Sequence, residues 1–323
     1  MRLSMRFDFR NPAFAGVSMA DRYAAALDMV EWADGLGIPS SISVSEHHGS
    51  ADGYLPSPQL MLAAMVARTR SARFSISALI APFHDPLRIA EDFCVLDHLS
   101  KGRVDVIVAA GYVPDEFAMF DVGLNERAAR VTEMVTTLKS AFAGKPFEYR
   151  GRMVHVTPEP FRPGGPKVLM GGSSGAAARR AARIADGFIP STDCWQAYRD
   201  EMAKLGKPDP GPSMVGDAGT TMLARDPARG WEAMVPFFFY ETNAYGEWRA
   251  QADKPGPFHS VADYDALKAA GRYHVITPAK MVEQLKAAPY PLAQFHPLCG
   301  GMPLDLAWES LNLFEAEVLP AFR

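Results

Sequence analysis

The feature that most constrains this chain is the alternation, from one end to the other, of short apolar runs with longer amphipathic stretches. A period of two that repeatedly gives way to a period of 3.6 is the pattern of βα units around a parallel sheet. LSMRFDF reads as the first strand, and a helix follows from about Met19 to Leu36, ended by the Gly35 and Gly37 pair. SSISVSEHH, FSISALIAP and GRVDVIVAAG carry the second, third and fourth strands. A helix from Pro86 to Leu99 has proline in its first turn, where the missing N–H costs no bond. Further helix fills 123–143, and KVLMGG and DGFIPS supply strands five and six. Strand seven is expected within Met214 to Ala224 and strand eight in LAQFHPLC, after the helix PAKMVEQLKAA; a helix from Pro303 to about Val318 closes the count.

Eight such units fit a single (β/α)8 TIM barrel over residues 1–323, because barrels of this type run to about 250 residues plus insertions. No internal repeat or composition shift marks a second domain. Two stretches break the rhythm and are expected as insertions at the C-terminal face, and as candidate lids. One is 146–166, with its prolines between glycines and its polar-apolar strand character, which suggests a hairpin or loop. The other is 237–275, rich in aromatics, glycine and proline.

Charged residues are 22% of the chain and the formal net charge is -4, which offers no basic surface for nucleic acid. No apolar run approaches the roughly 20 residues of a bilayer span, and the start of the chain lacks a signal-peptide core, so a cytoplasmic protein without membrane contact is expected. The three cysteines, Cys94, Cys194 and Cys299, are far apart and read as buried thiols, neither disulfides nor a zinc knuckle.

In a barrel the chemistry sits where the strands end at their C-termini. In SISVSEHH, side-chain alternation puts Ser41, Ser43, Ser45 and His47 on one side and Ile42, Val44, Glu46 and His48 on the other. The apolar side belongs against the helices, which leaves His47 over the barrel mouth, where a neutral imidazole can take or give a proton near pH 7. A structural histidine in a polar interior is the alternative. Adjacent residues on a strand point apart, so His47 and His48 do not converge on one ion and no metal is expected.

LMGGSSGAAARRAARIADG is a strand ending in a glycine-serine turn that opens into a helix. Free N–H groups at a helix start, two hydroxyls and close backbone approach make a phosphate site of Gly171, Gly172, Ser173 and Ser174; a plain βα turn with serine as N-cap is the other reading. In VAAGYVPDEF, the small residues Ala109, Ala110 and Gly111 leave room for a flat ring. Tyr112 either lines that space or packs, and Phe83, Phe237 to Phe239 and Trp248 hint at an apolar pocket that core packing explains equally well.

Taken together and in order, SEHH, HDPLRIAEDFCVLDHLSKGR, AAGYVPDEFAMFDV followed by Arg127, GGSSGAAARRAARIADG and the ending HPLCGGMPLDLAWESLNLFEAEVLPAF resemble the bacterial luciferase-like monooxygenases. The resemblance is weakest over 205–275. It implies a flavin-dependent oxidoreductase that uses reduced FMN, supplied by a separate flavin reductase, and O2 to oxidise a small or medium organic substrate. The first histidine of the motif, His47, is then catalytic, acting at the flavin or as a base toward substrate. Ser77 and Ala78 match the place of a non-prolyl cis peptide behind the flavin ring, Ser173 and Ser174 with Gly172 match the phosphate turn, and Arg127 matches a position near the phosphate. Ala110 stands where bacterial luciferase itself carries an arginine, which removes a cation and speaks against light emission. The family also contains oxidoreductases of the deazaflavin coenzyme F420, and a non-catalytic flavin-binding member or partner subunit is a third possibility. A homodimer through helices early in the barrel is implied as well.

Overall fold

The computed structural model describes residues 1–213, 219–252 and 259–323. Strand β1 (Arg2–Phe7) leads into helix α1 (Met19–Gly35), capped by the Ser18 side chain on the Asp21 N–H. There follow β2 (Ser40–Val44), α2 (Pro58–Ala67), β3 (Arg73–Ile80), α3 (Pro86–Ser100), β4 (Val104–Ala109), α4 (Pro114–Met119) and α5 (Arg127–Phe142). A hairpin of β5 (Phe147–Tyr149) and β6 (Arg152–Val154) precedes β7 (Val168–Gly172), α6 (Gly175–Ile184), β8 (Gly187–Pro190) and α7 (Trp195–Lys204). The last part contains β9 (Thr220–Leu223), α8 (Pro227–Gln251), α9 (Tyr264–Ala269), β10 (Tyr273–Ile276), α10 (Pro278–Ala287), β11 (Leu292–Phe295) and α11 (Leu304–Leu313).

Seven strands form one curled parallel sheet in the order β11-β1-β2-β3-β4-β7-β8. Register carries Phe7, Val44, Ile76, Val106 and Val168 across five neighbouring strands in one fully buried row. That row faces the helices, as the alternation predicts. The opposite faces of the same strands present Arg6, Ser43 and Ser75 in register, a small and polar inner lining.

One expectation is met in part and two are corrected. A closed eight-stranded barrel is not what the hydrogen bonds make: β9, the expected seventh strand, pairs in parallel with β10 (Thr220 opposite Tyr273), and the main sheet stays open between β8 and β11 among the described residues. β10 has only four residues, one of them buried, too little for a period to be read. Residues 214–218, the first part of the stretch in which strand seven was expected, lie outside the described residues.

The stretch 146–166 does contain a hairpin, but it lies along the outside of α5, where Arg150 meets Glu133 at 2.6 Å. Arg162 then binds Asp97 and Asp105 and the Val104 carbonyl, at the N-terminal end of β4 and away from the strand ends where a lid would sit. Its charges, and not its prolines, set where it goes. The stretch 237–275 is mostly regular, since α8 runs through Pro236 to Gln251, and α9 and β10 follow. Its aromatics disguise a helix because they are its buried face, Phe237 and Phe238 among them. Residues 253–258 of that stretch lie outside the described residues.

Candidate active site

A cavity of about 630 Å3 opens at the C-terminal ends of the strands. It is lined by inward positions of successive strands, Ser45 after β2, Ser77 on β3, Ile107 and Ala109 on β4, Gly171 on β7 and Ile189 on β8. Around them it gathers His47, Ala78, Ala110, Gly111, Arg127, Gly172, Ser173 and Ser174. Every residue singled out in the sequence for cofactor or catalysis therefore borders one space.

At one end lies the turn from β7 into α6. Ser174 is the N-cap, accepting the Ala177 N–H at 3.2 Å, which leaves the earlier N–H groups of the helix start for a ligand. Gly172 makes this approach possible, because a Cβ there would meet the Ala177 Cβ at 2.6 Å. Arg127 at the start of α5 and Arg180 on α6 line the same cavity and bring positive charge to this end; Arg180 was not singled out in the sequence, where it reads as one of several arginines on a solvated helix face.

The middle is bordered by small residues. The Ser77–Ala78 peptide is cis, and the pairing of β3 with β4 skips a residue at this point, so that both residues border the cavity. Gly111 has φ of +68°, and a Cβ on it would strike Ile80 Cγ2 at 2.7 Å.

At the other end stands His47, buried, with its Nδ1 atom 2.6 Å from Glu116 Oε1. The same oxygen accepts the His48 N–H at 2.8 Å. A carboxylate on Nδ1 places the proton there and leaves Nε2 as the free ring nitrogen, the arrangement that sets a histidine's tautomer. Glu116 comes from α4 and is fully buried; in the sequence, PDEF reads only as an acidic first helical turn, and nothing in it signals a partner at position 47. The ring of His47 packs between aromatics, with Trp248 at 4.3 Å, Tyr54 at 4.8 Å, Tyr112 at 5.8 Å and Tyr245 at 6.1 Å.

Burial pushes the Tyr112 phenol up to about 12, against the pull of Arg249, which stacks on its ring at 4.2 Å. Burial also raises Tyr54 and Tyr245, whose hydroxyls meet at 2.8 Å. These phenols stay protonated at neutral pH, and within the Tyr54–Tyr245 pair one hydroxyl donates and the other accepts. Behind them Arg10 lies under Tyr54, Tyr245 and Trp248 and donates to Asp52 at 2.5 Å.

Of the aromatics considered for a pocket, Tyr112 lines the cavity, while Phe83 stacks on Phe120 at 4.7 Å and Phe237 and Phe238 belong to the core. His48 turns the other way from His47, to Glu46 Oε1 at 2.8 Å, as the alternation predicts. The cysteines are free and buried.

Residues 1–286 match the family model for luciferase-like monooxygenase. The chain belongs to that family.

Among curated proteins, this luciferase-like chain is 30% identical over 118 residues to the 4-hydroxyprotoasukamycin monooxygenase of Streptomyces nodosus subsp. asukaensis, 36% of this chain and 32% of that protein. It is 28% identical over 131 residues to the oxygenase component of the flavin-dependent trigonelline monooxygenase of Acinetobacter baylyi, 40% of this chain and 36% of that protein. The matched region thus spans about a third of these relatives. Among solved structures, the monooxygenase RslO1 of Streptomyces bottropensis superposes with a TM-score of 0.73 at 23% identity, each chain covered in full. The oxygenating constituent of the 3,6-diketocamphane monooxygenase of Pseudomonas putida, in complex with FMN, gives 0.70 at 18% identity, covering 99% of this chain and 98% of that one. An F420-dependent secondary alcohol dehydrogenase gives 0.69 at 16%, covering 100% and 99%. At these identities the structural likeness speaks for the fold. Among the described residues, no helix of this family member is long and apolar enough to cross a membrane.

Proposed function

We propose that this chain is the oxygenating component of a two-component flavin-dependent monooxygenase, which takes reduced FMN from a separate reductase and uses O2 to oxidise a small or medium organic substrate. One observation carries the reading: a single cavity joins a phosphate-type turn, a middle lined by small residues and a carboxylate-oriented histidine. The open sheet is then a (β/α)8 barrel whose seventh place is taken by β9.

In this reading the Ser173–Ser174 turn, the α6 N-terminus, Arg127 and Arg180 hold the phosphate. Gly171 and Gly172 let it approach, and Ser77, Ala78, Ala110 and Gly111 border the ring. Reduced FMN, when bound, supplies the electrons that activate O2. The protein's part is to bind and orient it, to exclude water with Tyr54, Tyr112 and Tyr245, and to move a proton at His47 Nε2 while Glu116 holds Nδ1. The trigonelline relative, an oxygenase component, and the FMN-bound diketocamphane structure support the choice of cofactor.

The F420-dependent neighbour favours a second reading, hydride transfer with the deazaflavin in the same cavity. We further propose a cytoplasmic homodimer that associates through α2 and α3, where Leu60, Val95 and Leu99 are exposed.

Anaerobic titration with reduced FMN, and separate titrations with oxidised FMN and F420, decide between these. Tightest binding of reduced FMN, followed by O2 consumption and His47-dependent flavin reoxidation, is the expected result. Binding of F420 alone establishes the second reading, binding of FMN without any effect of His47 on its reaction with O2 points to a non-catalytic flavin-binding member, and binding of none overturns all three.

A further inference from the structure

Two groups of three ligand-type side chains converge among the described residues, Glu241 with His296 and Cys299, and Glu46 with His48 and His84. In the first, Arg6 Nη2 donates to Glu241 Oε1 at 2.6 Å and to His296 Nδ1 at 2.9 Å. A guanidinium already stands where a cation would go. The second group contains no such competitor. Glu46 Oε1 faces His48 Nε2 at 2.8 Å and His84 Nε2 at 2.6 Å, and Glu46 Oε2 accepts the Ile80 N–H at 2.8 Å.

We propose that Glu46, His48 and His84 form a binding site for one divalent transition-metal ion of the zinc type, back to back with His47. The donor set is two imidazole nitrogens and a carboxylate oxygen, which suits Zn2+, Co2+ or Ni2+ and not the all-oxygen preference of Mg2+ or Ca2+. Glu46 and His48 have one residue between them, so they point to the same side of an extended chain, and His84 arrives from the turn after β3.

The geometry needs a side-chain rearrangement with the backbone in place. A tetrahedral ion with bonds of about 2.0–2.1 Å sets its donor atoms roughly 3.3 Å apart. The two short separations, 2.8 and 2.6 Å, open by roughly 0.5–0.7 Å, and the separation between the two imidazole nitrogens, which lies within 4.8 Å, adjusts to the same spacing, all through side-chain rotation. The Ile80 N–H already fixes the carboxylate from the outer shell, the support that metal ligands usually have. Phe83 and Phe120 wall the site, 5.4 Å and 4.7 Å from the His48 ring. His84 is the most exposed ligand, at 18% of its side chain, and offers a fourth position to water from outside.

The site does not depend on bound flavin. It is tied to the flavin cavity because Glu46 also borders that cavity and because the His48 N–H shares Glu116 with His47. An ion here fastens the end of β2 to the turn after β3, directly behind the catalytic candidate. The sequence hid it because His84 lies far along the chain from the pair it completes.

Chelator-treated, dialysed protein titrated with Zn2+ alone in a calorimeter is expected to bind one equivalent, and Zn2+ is expected to raise the melting temperature. Co2+ in its place is expected to give the intense visible bands of a low-symmetry four-coordinate ion. His84→Asn and His48→Asn are each expected to weaken Zn2+ by at least about 100-fold, beyond the loss seen when only an outer-shell partner is removed. His155→Asn, at a half-exposed histidine elsewhere, is expected to change nothing. Melting of each variant without metal establishes that it is folded. No saturable binding to the wild type, or equal binding to the wild type and His84→Asn, overturns the site.

Discussion

Nδ1 of His47 and Oε1 of Glu116 lie 2.6 Å apart and join the end of β2 to the helix that follows β4. Both groups are buried, so the carboxylate orients the ring without competition from water. His47→Ala is expected to slow any proton-dependent step of bound reduced FMN by about 100- to 10,000-fold, the usual contribution of a positioned acid or base. Glu116→Gln keeps the imidazole but releases its tautomer, and a loss of about 10- to 100-fold is expected. Stopped-flow reoxidation by O2 checks both, with FMN affinity measured alongside. A Glu116→Gln protein as fast as wild type would show that the contact is structural only.

The phosphate end makes a different demand. Removing one charge-assisted contact costs about 1.5–3 kcal/mol, so Arg127→Ala and Arg180→Ala are each expected to weaken reduced FMN about 10- to 100-fold. Riboflavin, which lacks the phosphate, is expected to bind both variants as it binds wild type. Equal losses for FMN and riboflavin would move these arginines away from the phosphate.

Asp52 governs an acid limb. Burial alone would raise its carboxyl, but the Arg10 guanidinium and the hydroxyls of Ser50 and Tyr240 hold it below its ordinary value. Burial opposes the charge of Glu241 as well, and Arg6 and His296 hold it well below. A depressed folded-state value stabilises the fold above the unfolded value near 4, and that contribution drains away as pH falls through the folded value. Urea unfolding is therefore expected to lose free energy progressively below about pH 5. Asp52→Asn leaves buried Arg10 with only the more distant carboxylate of Asp8, at 4.0 Å, and is expected to cost about 2–4 kcal/mol at pH 7, with a shallower acid limb. A variant as stable as wild type at pH 7 contradicts this.

Gly111→Ala places a Cβ 2.7 Å from Ile80 Cγ2 on a backbone with φ of +68°. The strain and the clash are expected to cost about 1–3 kcal/mol, read as a lower melting temperature. The displacement falls on the residue whose N–H holds Glu46, so Zn2+ affinity is expected to fall in the same variant.

Leu60→Glu with Leu99→Glu charges the exposed faces of α2 and α3. Sedimentation is expected to show a dimer for wild type and a monomer for the double variant, with the melting transition retained because neither side chain is in the core. A wild-type monomer at micromolar concentration ends the dimer reading.

Element type and order were legible because they are properties of neighbours along the chain. Alternation at Ile42 and Val44 put them against the helices, turned His48 away from His47 and left His47 on the cavity side, and the glycine-serine turn after β7 announced a helix start from composition alone. Relations across the fold were not legible in that way. Glu116 and His84 read as an ordinary helical acid and a loop histidine until β3 and β4 bring them to residues 46–48. Pairing of β9 with β10 and the position of 146–166 likewise follow from long-range hydrogen bonds and ion pairs, and the helical course of 227–251 was masked by the aromatics that it packs into the core. A side chain's period records which face it occupies, whereas its partner is set by packing between segments whose separation in sequence carries no periodic trace.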